Sequence, residues 1–225
     1  MRRLPQLLLL ASTALLAWLG MQVIHECGHA LFGWLTGGEV RRVILHPLAI
    51  SRTDLDPNPH PLVVCWAGPV FGSVVPVLIW LIARAVKWVG EYWLRFFAGF
   101  CLIANGAYLA VGSFDRIGDA GDLLKHGSPI GLLWLFGAIT IPAGLSLWHG
   151  LGSSFGLGPQ AGFAQQMRTL TRCRVDWPPN FPANVVDYDL LGKAPQAPLI
   201  RWRPTVAVIA ALIVTIAVEL SLSGR

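Results

Sequence analysis

The fold is decided by residues 7–35, which read LLLLASTALLAWLGMQVIHECGHALFGWL. This largely apolar stretch is longer than the ~20 residues that cross the hydrocarbon of a bilayer as a helix. Arg2 and Arg3 precede it, as basic residues precede the core of a signal peptide. The apolar run nevertheless continues past the usual ~7–15 residues of such a core, and no small-x-small cleavage site closes it before His25. We therefore expect the stretch to be retained as a membrane-spanning helix.

The composition of the whole chain supports the same environment. Of its 225 residues, 54% are hydrophobic and 13% are charged, whereas soluble domains carry ~25% charged residues. So few charges cannot cover the surface of a soluble globule, and so many apolar residues exclude a disordered chain. A net charge of +5 without a concentrated basic stripe excludes a nucleic-acid reader. The composition predicts an integral, multi-pass membrane protein whose surroundings are the lipid bilayer.

Further apolar runs predict an all-α fold of about five transmembrane helices. The spans after the first are expected at about residues 62–86, 92–112, 130–149 and 205–222. The segment 36–61, after the first span, contains a strand-like run at residues 40–45 and a turn rich in proline, which predicts a short membrane-associated β-hairpin.

These runs also predict how the chain is divided. Residues 1–150 are expected to form a membrane-embedded core. Residues 151–203 are expected to form an extramembrane loop rich in proline, and residues 204–225 a C-terminal transmembrane helix.

The first span contains a motif that can bind a metal ion. His25 and His29 are four residues apart, which places them on one face of a helix, where both imidazoles can reach the same ion. Glu26 between them can act as general base on a water molecule at the metal, and zinc suits imidazole ligands. Ionisable residues inside a span are expensive and by default mark a functional site. The alternative is a helix end with interfacial histidines. Gly28, within the motif, lets a neighbouring helix or a substrate approach closely.

A catalytic zinc needs a third protein ligand. Spans one and three end on the same side of the membrane, so the acidic segment that follows span three can meet the two histidines. It offers Asp115, Asp119 and Asp122. Any one of these taken alone is more often a solvated loop acid, and the residues by themselves leave the choice among the three open.

Three segments together resemble motifs of the site-2 protease family, the intramembrane zinc metallopeptidases. They are the His25–His29 motif, residues 67–72 (AGPVFG), which resemble the family's AGPxxN, and residues 119–124 (DAGDLL), which resemble its DGGRLL. The small variants without an inserted PDZ or CBS domain are the most similar. The chain departs from the family pattern at Gly72, where Asn is usual, and at Ala120, where Gly is usual.

The resemblance implies roles for individual residues. The zinc ligands would be His25, His29 and Asp119, with Asp115 and Asp122 as alternatives for the third ligand, and Glu26 would be the catalytic base. Substrate-binding or supporting positions would be Gly68, Pro69 and Asn105.

The implied activity is cleavage of a transmembrane or membrane-proximal peptide bond in another membrane protein, which would be the partner of this chain in the cell membrane. The substrate helix must unwind, and the segment 36–61 could offer an edge strand to it; Val43→Pro would test that strand. Two other functions are considered: a catalytically silent scaffold related to the family, and a small metal-handling transporter, for which paired repeats would be expected.

Two features of the sequence predict opposite orientations in the membrane. The Lys and Arg count over all loops favours a cytoplasmic N-terminus. The resemblance places the metal nearer the cytoplasm and the N-terminus outside.

Overall fold

The computed structural model describes residues 4–47 and 51–155, together with Val208, Ala211, Val214 and Thr215. Within these residues the elements are, in chain order, α1 (Leu4–Leu35), β1 (Val40–Ile44), β2 (Arg52–Leu55), α2 (Pro61–Ala85), α3 (Glu91–Asp115), α4 (Gly118–Lys125), α5 (Ile130–Trp148) and a 3₁₀ turn (Leu151–Ser153).

Four of these helices are long and apolar enough to cross a membrane, which confirms the first four predicted spans. They are Leu7–Leu35, Pro61–Ala85, Glu91–Asp115 and Ile130–Trp148. The protein is therefore a multi-pass, largely helical integral membrane protein.

The C-terminal part of the chain is described at a few positions only. The predicted extramembrane loop lies almost entirely outside the described residues, and so does most of the predicted span 205–222. The four described positions of that span are helical. Val208 among them is buried in the same apolar cluster as Leu9 of α1 and Phe155. The proposed division of the chain into core, loop and final helix stays a prediction.

Glycines bring the backbones of the spanning helices close together. A Cβ atom on Gly28 of α1 would lie 2.7 Å from the carbonyl oxygen of Ala67 in α2, so the close approach expected at Gly28 is made by a neighbouring helix. A Cβ on Gly144 of α5 would lie 2.6 Å from the carbonyl oxygen of Gly99 in α3. Contacts through small residues are the usual way in which membrane helices associate. They hold α1, α2, α3 and α5 as one bundle.

The predicted hairpin is present. Strands β1 and β2 pair in antiparallel fashion, with Val43 opposite Thr53 and Ile44 opposite Arg52. The hairpin lies against the second half of α1, where the side chain of Leu55 occupies the space beside Gly33. This packing brings β2 next to the histidine motif.

Helix α4 was not predicted, because the segment that connects α3 to α5 is rich in glycine and aspartate. It is held by two side chains, Ala120 and Leu123, which are completely buried together with Leu109 of α3 and Leu133 of α5. Asp119 lies in its first turn, and the burial of α4 fixes where that carboxylate points.

Candidate metal centre

Three ligand atoms from two helices converge at one point. The Nε2 atoms of His25 and His29 are 3.0 Å apart. One oxygen of Asp119, Oδ2, lies 2.8 Å from the first and 3.2 Å from the second. Both histidines are buried, and Asp119 reaches them from the first turn of α4. The three residues form a group able to hold a metal ion.

The hydrogen bond of His29 determines which of its ring nitrogens can bind a metal. Its Nδ1 lies 2.8 Å from the backbone carbonyl oxygen of Val64 in α2. Because a carbonyl oxygen only accepts, Nδ1 carries the proton, and Nε2 presents a lone pair to the centre. A second partner of this kind fixes the tautomer of a metal-binding histidine.

The same reasoning applies to His25. Its Nδ1 lies 2.7 Å from Oδ1 of Asn105. The amide nitrogen of Asn105 donates to the carbonyl of Cys101 at 2.9 Å, so Oδ1 is the acceptor and His25 donates to it. A Cβ atom on Gly72 would lie 3.0 Å from the Asn105 amide nitrogen. The departure from the family pattern at Gly72 therefore leaves room for an asparagine supplied by α3.

The carboxylate of Asp119 is ionised at neutral pH. Burial raises the pKa of this group, but the close contacts with His25 and His29 outweigh burial and hold the pKa well below its usual range. Its position in the first turn of α4 also favours the negative charge, because the positive end of the helix dipole lies there.

The donor set fits zinc. With both protons on Nδ1, two lone pairs and an anionic oxygen face each other, an arrangement that a shared cation would stabilise. A tetrahedral zinc with bonds of ~2.0–2.2 Å holds its ligands about 3.3 Å apart. The observed separations of 2.8, 3.0 and 3.2 Å are close to that value. Three protein ligands would leave the fourth position for water or substrate.

Gly68 of α2 leaves the space that the two ligand nitrogens occupy. A Cβ atom there would lie 2.8 Å from Nε2 of His25 and would overlap with Nε2 of His29. Pro69, the next residue, is fully buried within α2. Of the two residues expected to support the site, Gly68 therefore lies beside the ligand atoms, and Pro69 is buried next to it in α2.

Glu26 lies next to the ligands on α1, with a relative exposure of only 3%. Its Oε2 accepts a hydrogen bond of 2.7 Å from the hydroxyl of Thr53 in β2. A cavity of about 770 Å³ opens onto the site; Glu26, both histidines, Asp119 and all four residues of β2 line it. A volume of this size accommodates a peptide segment.

The other two aspartates are placed differently. Asp115 is the exposed last residue of α3, and Asp122 is exposed at the rim of the cavity. Among the described residues, Asp119 is the aspartate that joins the two histidines.

Three contacts of the site carry no signal in the sequence. They are the Val64 carbonyl, the Thr53 hydroxyl and the hydroxyl of Tyr108, which accepts a 3.2 Å hydrogen bond from the backbone amide of Asp119. Each joins segments that are distant in the chain or uses a residue type with many other roles. Only the packed helices and hairpin reveal them.

Comparison with known protein families found a match. Residues 6–111 match the family described as Peptidase M50B-like. The matched part contains both histidines, Glu26, Gly68 and Asn105, and it ends before Asp119. Searches among curated proteins and among solved structures found no match.

Proposed function

We propose that this chain is an intramembrane zinc endopeptidase of the site-2 protease family that cleaves a transmembrane or membrane-proximal bond of another membrane protein. The match of residues 6–111 to the Peptidase M50B-like family supports the proposal. The observation that carries this proposal is the convergence of His25, His29 and Asp119 beside Glu26. The centre lies inside a spanning helix: His29 precedes the end of α1 at Leu35 by ~9 Å at 1.5 Å per residue.

Zinc bound at His25, His29 and Asp119 would supply the Lewis acidity that makes water nucleophilic at neutral pH and polarises a peptide carbonyl. The chain's own groups do the rest. Val64 and Asn105 orient the two imidazoles through their Nδ1 protons.

Glu26 has the position and chemistry of the general base. Thr53 holds its Oε2, which leaves Oε1 to accept a proton from the attacking water. The same carboxyl can return that proton to the nitrogen of the leaving amine when the peptide bond breaks. Such transfer by a positioned side chain contributes typically 10²–10⁴-fold to a rate.

The substrate is expected to bind in an extended form along the hairpin. Strand β2, with residues Arg52–Leu55, lines the cavity, whereas β1 lies on the far side of β2. Because β2 lines the cavity, we infer that β2 is the strand that pairs with an unwound substrate; the sequence-based choice of Val43 on β1 stays a prediction. Addition of a strand to an exposed edge satisfies the amides that the substrate helix loses when it unwinds.

The decisive experiment compares metal content and cleavage in matched variants. The unaltered protein is expected to contain about one zinc per chain, as a site with three protein ligands should. His25→Ala should lose the zinc, and His126→Ala, which removes an exposed histidine, should keep it. Glu26→Gln should keep the zinc and reduce cleavage of co-expressed single-span proteins by at least ~10²-fold.

Two results would count against the proposal. A purified chain without zinc would argue against the metal centre itself. Bound zinc without any Glu26-dependent cleavage would favour the silent scaffold.

A further inference from the structure

Residues on one face of α1 form hydrogen bonds to the hairpin at three successive turns of the helix. Trp18, Gln22 and Glu26 are spaced by four residues and so lie above one another on the helix. Trp18 Nε1 donates a hydrogen bond to the Pro47 carbonyl at 3.1 Å. Ser51 Oγ donates to the side-chain oxygen of Gln22. Thr53 Oγ1 donates to the Glu26 carboxylate at 2.7 Å. The hairpin is thus attached at regular steps to the helix that carries the metal ligands.

The third of these contacts differs from the other two because it ends on the proposed base. Glu26 is buried, and a buried carboxylate depends on hydrogen-bond donors for its position and its charge. Among the described residues, Thr53 is the side chain that donates to it. The hydroxyl of Thr53 is therefore in a position to decide how Glu26 points into the cavity.

Thr53 also belongs to the strand that lines the cavity. It pairs with Val43 of β1 on one side, and the strand borders the space for substrate on the other. An extended peptide that pairs with β2 would restrain this strand. Since Thr53 holds Glu26, the same restraint would reach the base.

We propose that Thr53 is a positioning residue that couples the binding of an extended peptide at β2 to the orientation of Glu26. The inference rests on the proposed peptidase function. The favoured substrate is a segment long enough to pair with β2 in extended form. A short peptide that fills only the cavity would leave the strand, and hence the base, less restrained.

The kinetic test removes the hydroxyl and keeps the shape. Thr53→Val should lower kcat by about 10- to 100-fold, the effect of one hydrogen bond to a charged group, with KM and zinc content unchanged. Thr53→Ser should restore most of the lost rate. Thr140→Val is the matched control, because it removes a buried hydroxyl whose hydrogen bond, among the described residues, is to the carbonyl of Phe136 within α5.

A purely structural role for Thr53 would give a different pattern. If Thr53 merely held the hairpin on α1, Thr53→Val would raise KM, as Ser51→Ala should by weakening the neighbouring attachment. An elevated KM with an unchanged kcat in Thr53→Val would overturn the coupling.

An infrared measurement separates this inference from the proposed activity. The Glu26 carboxyl band is identified as the band lost in Glu26→Gln. It should shift in Thr53→Val and return in Thr53→Ser, whether or not a substrate is cleaved. An unshifted band would overturn the positioning role. Absence of Glu26-dependent cleavage together with a shifted band would refute the peptidase function and leave the Thr53–Glu26 contact supported.

Discussion

Gly68 has no side chain, and we predict that this determines whether a metal binds. It belongs to α2, whereas the histidines belong to α1, and its missing Cβ is the space that the two Nε2 atoms occupy. A methyl group there would overlap with ligand atoms, while the ligands themselves would be unchanged. A substitution at Gly68 therefore tests the geometry of the centre without changing the chemical nature of its ligands.

We expect Gly68→Ala to reduce bound zinc to below about one tenth of that in the unaltered protein, because a histidine ligand must rotate away from the centre. Loss of a hydrogen bond to a metal ligand already lowers metal affinity ~10–100-fold, and displacement of the ligand itself should lower it at least as much. The measurement is zinc per chain after purification. Gly131→Ala is the control, since a Cβ at this helical glycine of α5 would have no atom within 4 Å. Equal zinc in Gly68→Ala and Gly131→Ala would show that Gly68 does not adjoin the metal.

The sequence identifies residues of the site when the motif is local. His25, Glu26 and His29 lie within five positions of one helix, so helical periodicity alone brings them together. Thr53 and Val64 could not be found in this way, because their roles depend on where the hairpin and α2 pack. For Asn105, only the resemblance suggested a role, and its bond to His25 became evident from the packed helices.

Among the elements, α4 has the strongest effect on the site for its length. It supplies Asp119, and its start is set by Gly118, whose φ of 53° is in the left-handed region. A Cβ on Gly118 would also overlap with the hydroxyl of Tyr108. Glycine is therefore required at this position for two reasons: the backbone conformation is left-handed, and a side chain would have no space beside α3.

We expect Gly118→Ala to weaken zinc binding by at least ~10-fold. The clash with Tyr108 should displace the first turn of α4, which carries Asp119, and disturbing the hydrogen bonds of a metal ligand lowers metal affinity ~10–100-fold. Competition with a chelator measures the affinity. Gly127→Ala is the control: it has a similar backbone conformation, with φ of 90°, but nothing within 4 Å of its Cβ.

The double variant Tyr108→Phe/Gly118→Ala tests the cause. Removal of the hydroxyl should recover part of the zinc affinity. If Gly127→Ala weakened zinc binding as much as Gly118→Ala, backbone strain rather than the clash would explain the loss.

The elements could be predicted to different degrees for physical reasons. A spanning helix needs a long apolar run, so α1, α2, α3 and α5 were visible in the sequence. The hairpin was visible through its strand-like run, but which strand faces the cavity depends on packing against α1. Helix α4 has only eight residues and is stabilised by burial of Ala120 and Leu123, which local propensity does not reveal.

At the scale of the whole molecule, the four spans place the site at one face of the membrane. The ends of α1 and α3, the hairpin and α4 lie on that face, and the turn between α2 and α3 lies on the other. Basic residues occur on both faces: Arg84, Lys87 and Arg95 flank the turn, while Arg41, Arg42, Arg52, Arg116 and Lys125 lie on the face of the metal centre. Charge in these short segments therefore does not determine the orientation. The count over all loops favours a cytoplasmic N-terminus mainly through the Lys and Arg residues of the long loop, residues 150–203.

Cysteine labelling resolves the arrangement with a matched pair. Lys87 and Arg116 are both exposed residues in the left-handed region, with φ of 53° and 54°. They are the second residue after α2 and the first residue after α3, respectively. Substitution is therefore expected to perturb both positions equally. In intact cells, a membrane-impermeant maleimide should label only one of Lys87→Cys and Arg116→Cys above the level of the unaltered protein, and the other only after permeabilisation.

If the metal centre faces the cytoplasm, as the family resemblance implies, Lys87→Cys is the one labelled from outside. Labelling of Arg116→Cys from outside would instead support the charge count and a cytoplasmic N-terminus. Labelling of both from the same side would mean that α3 does not cross the membrane. In that case the histidines of α1 and the aspartate of α4 could not meet inside the bilayer, and the metal centre would lose the topology on which it depends.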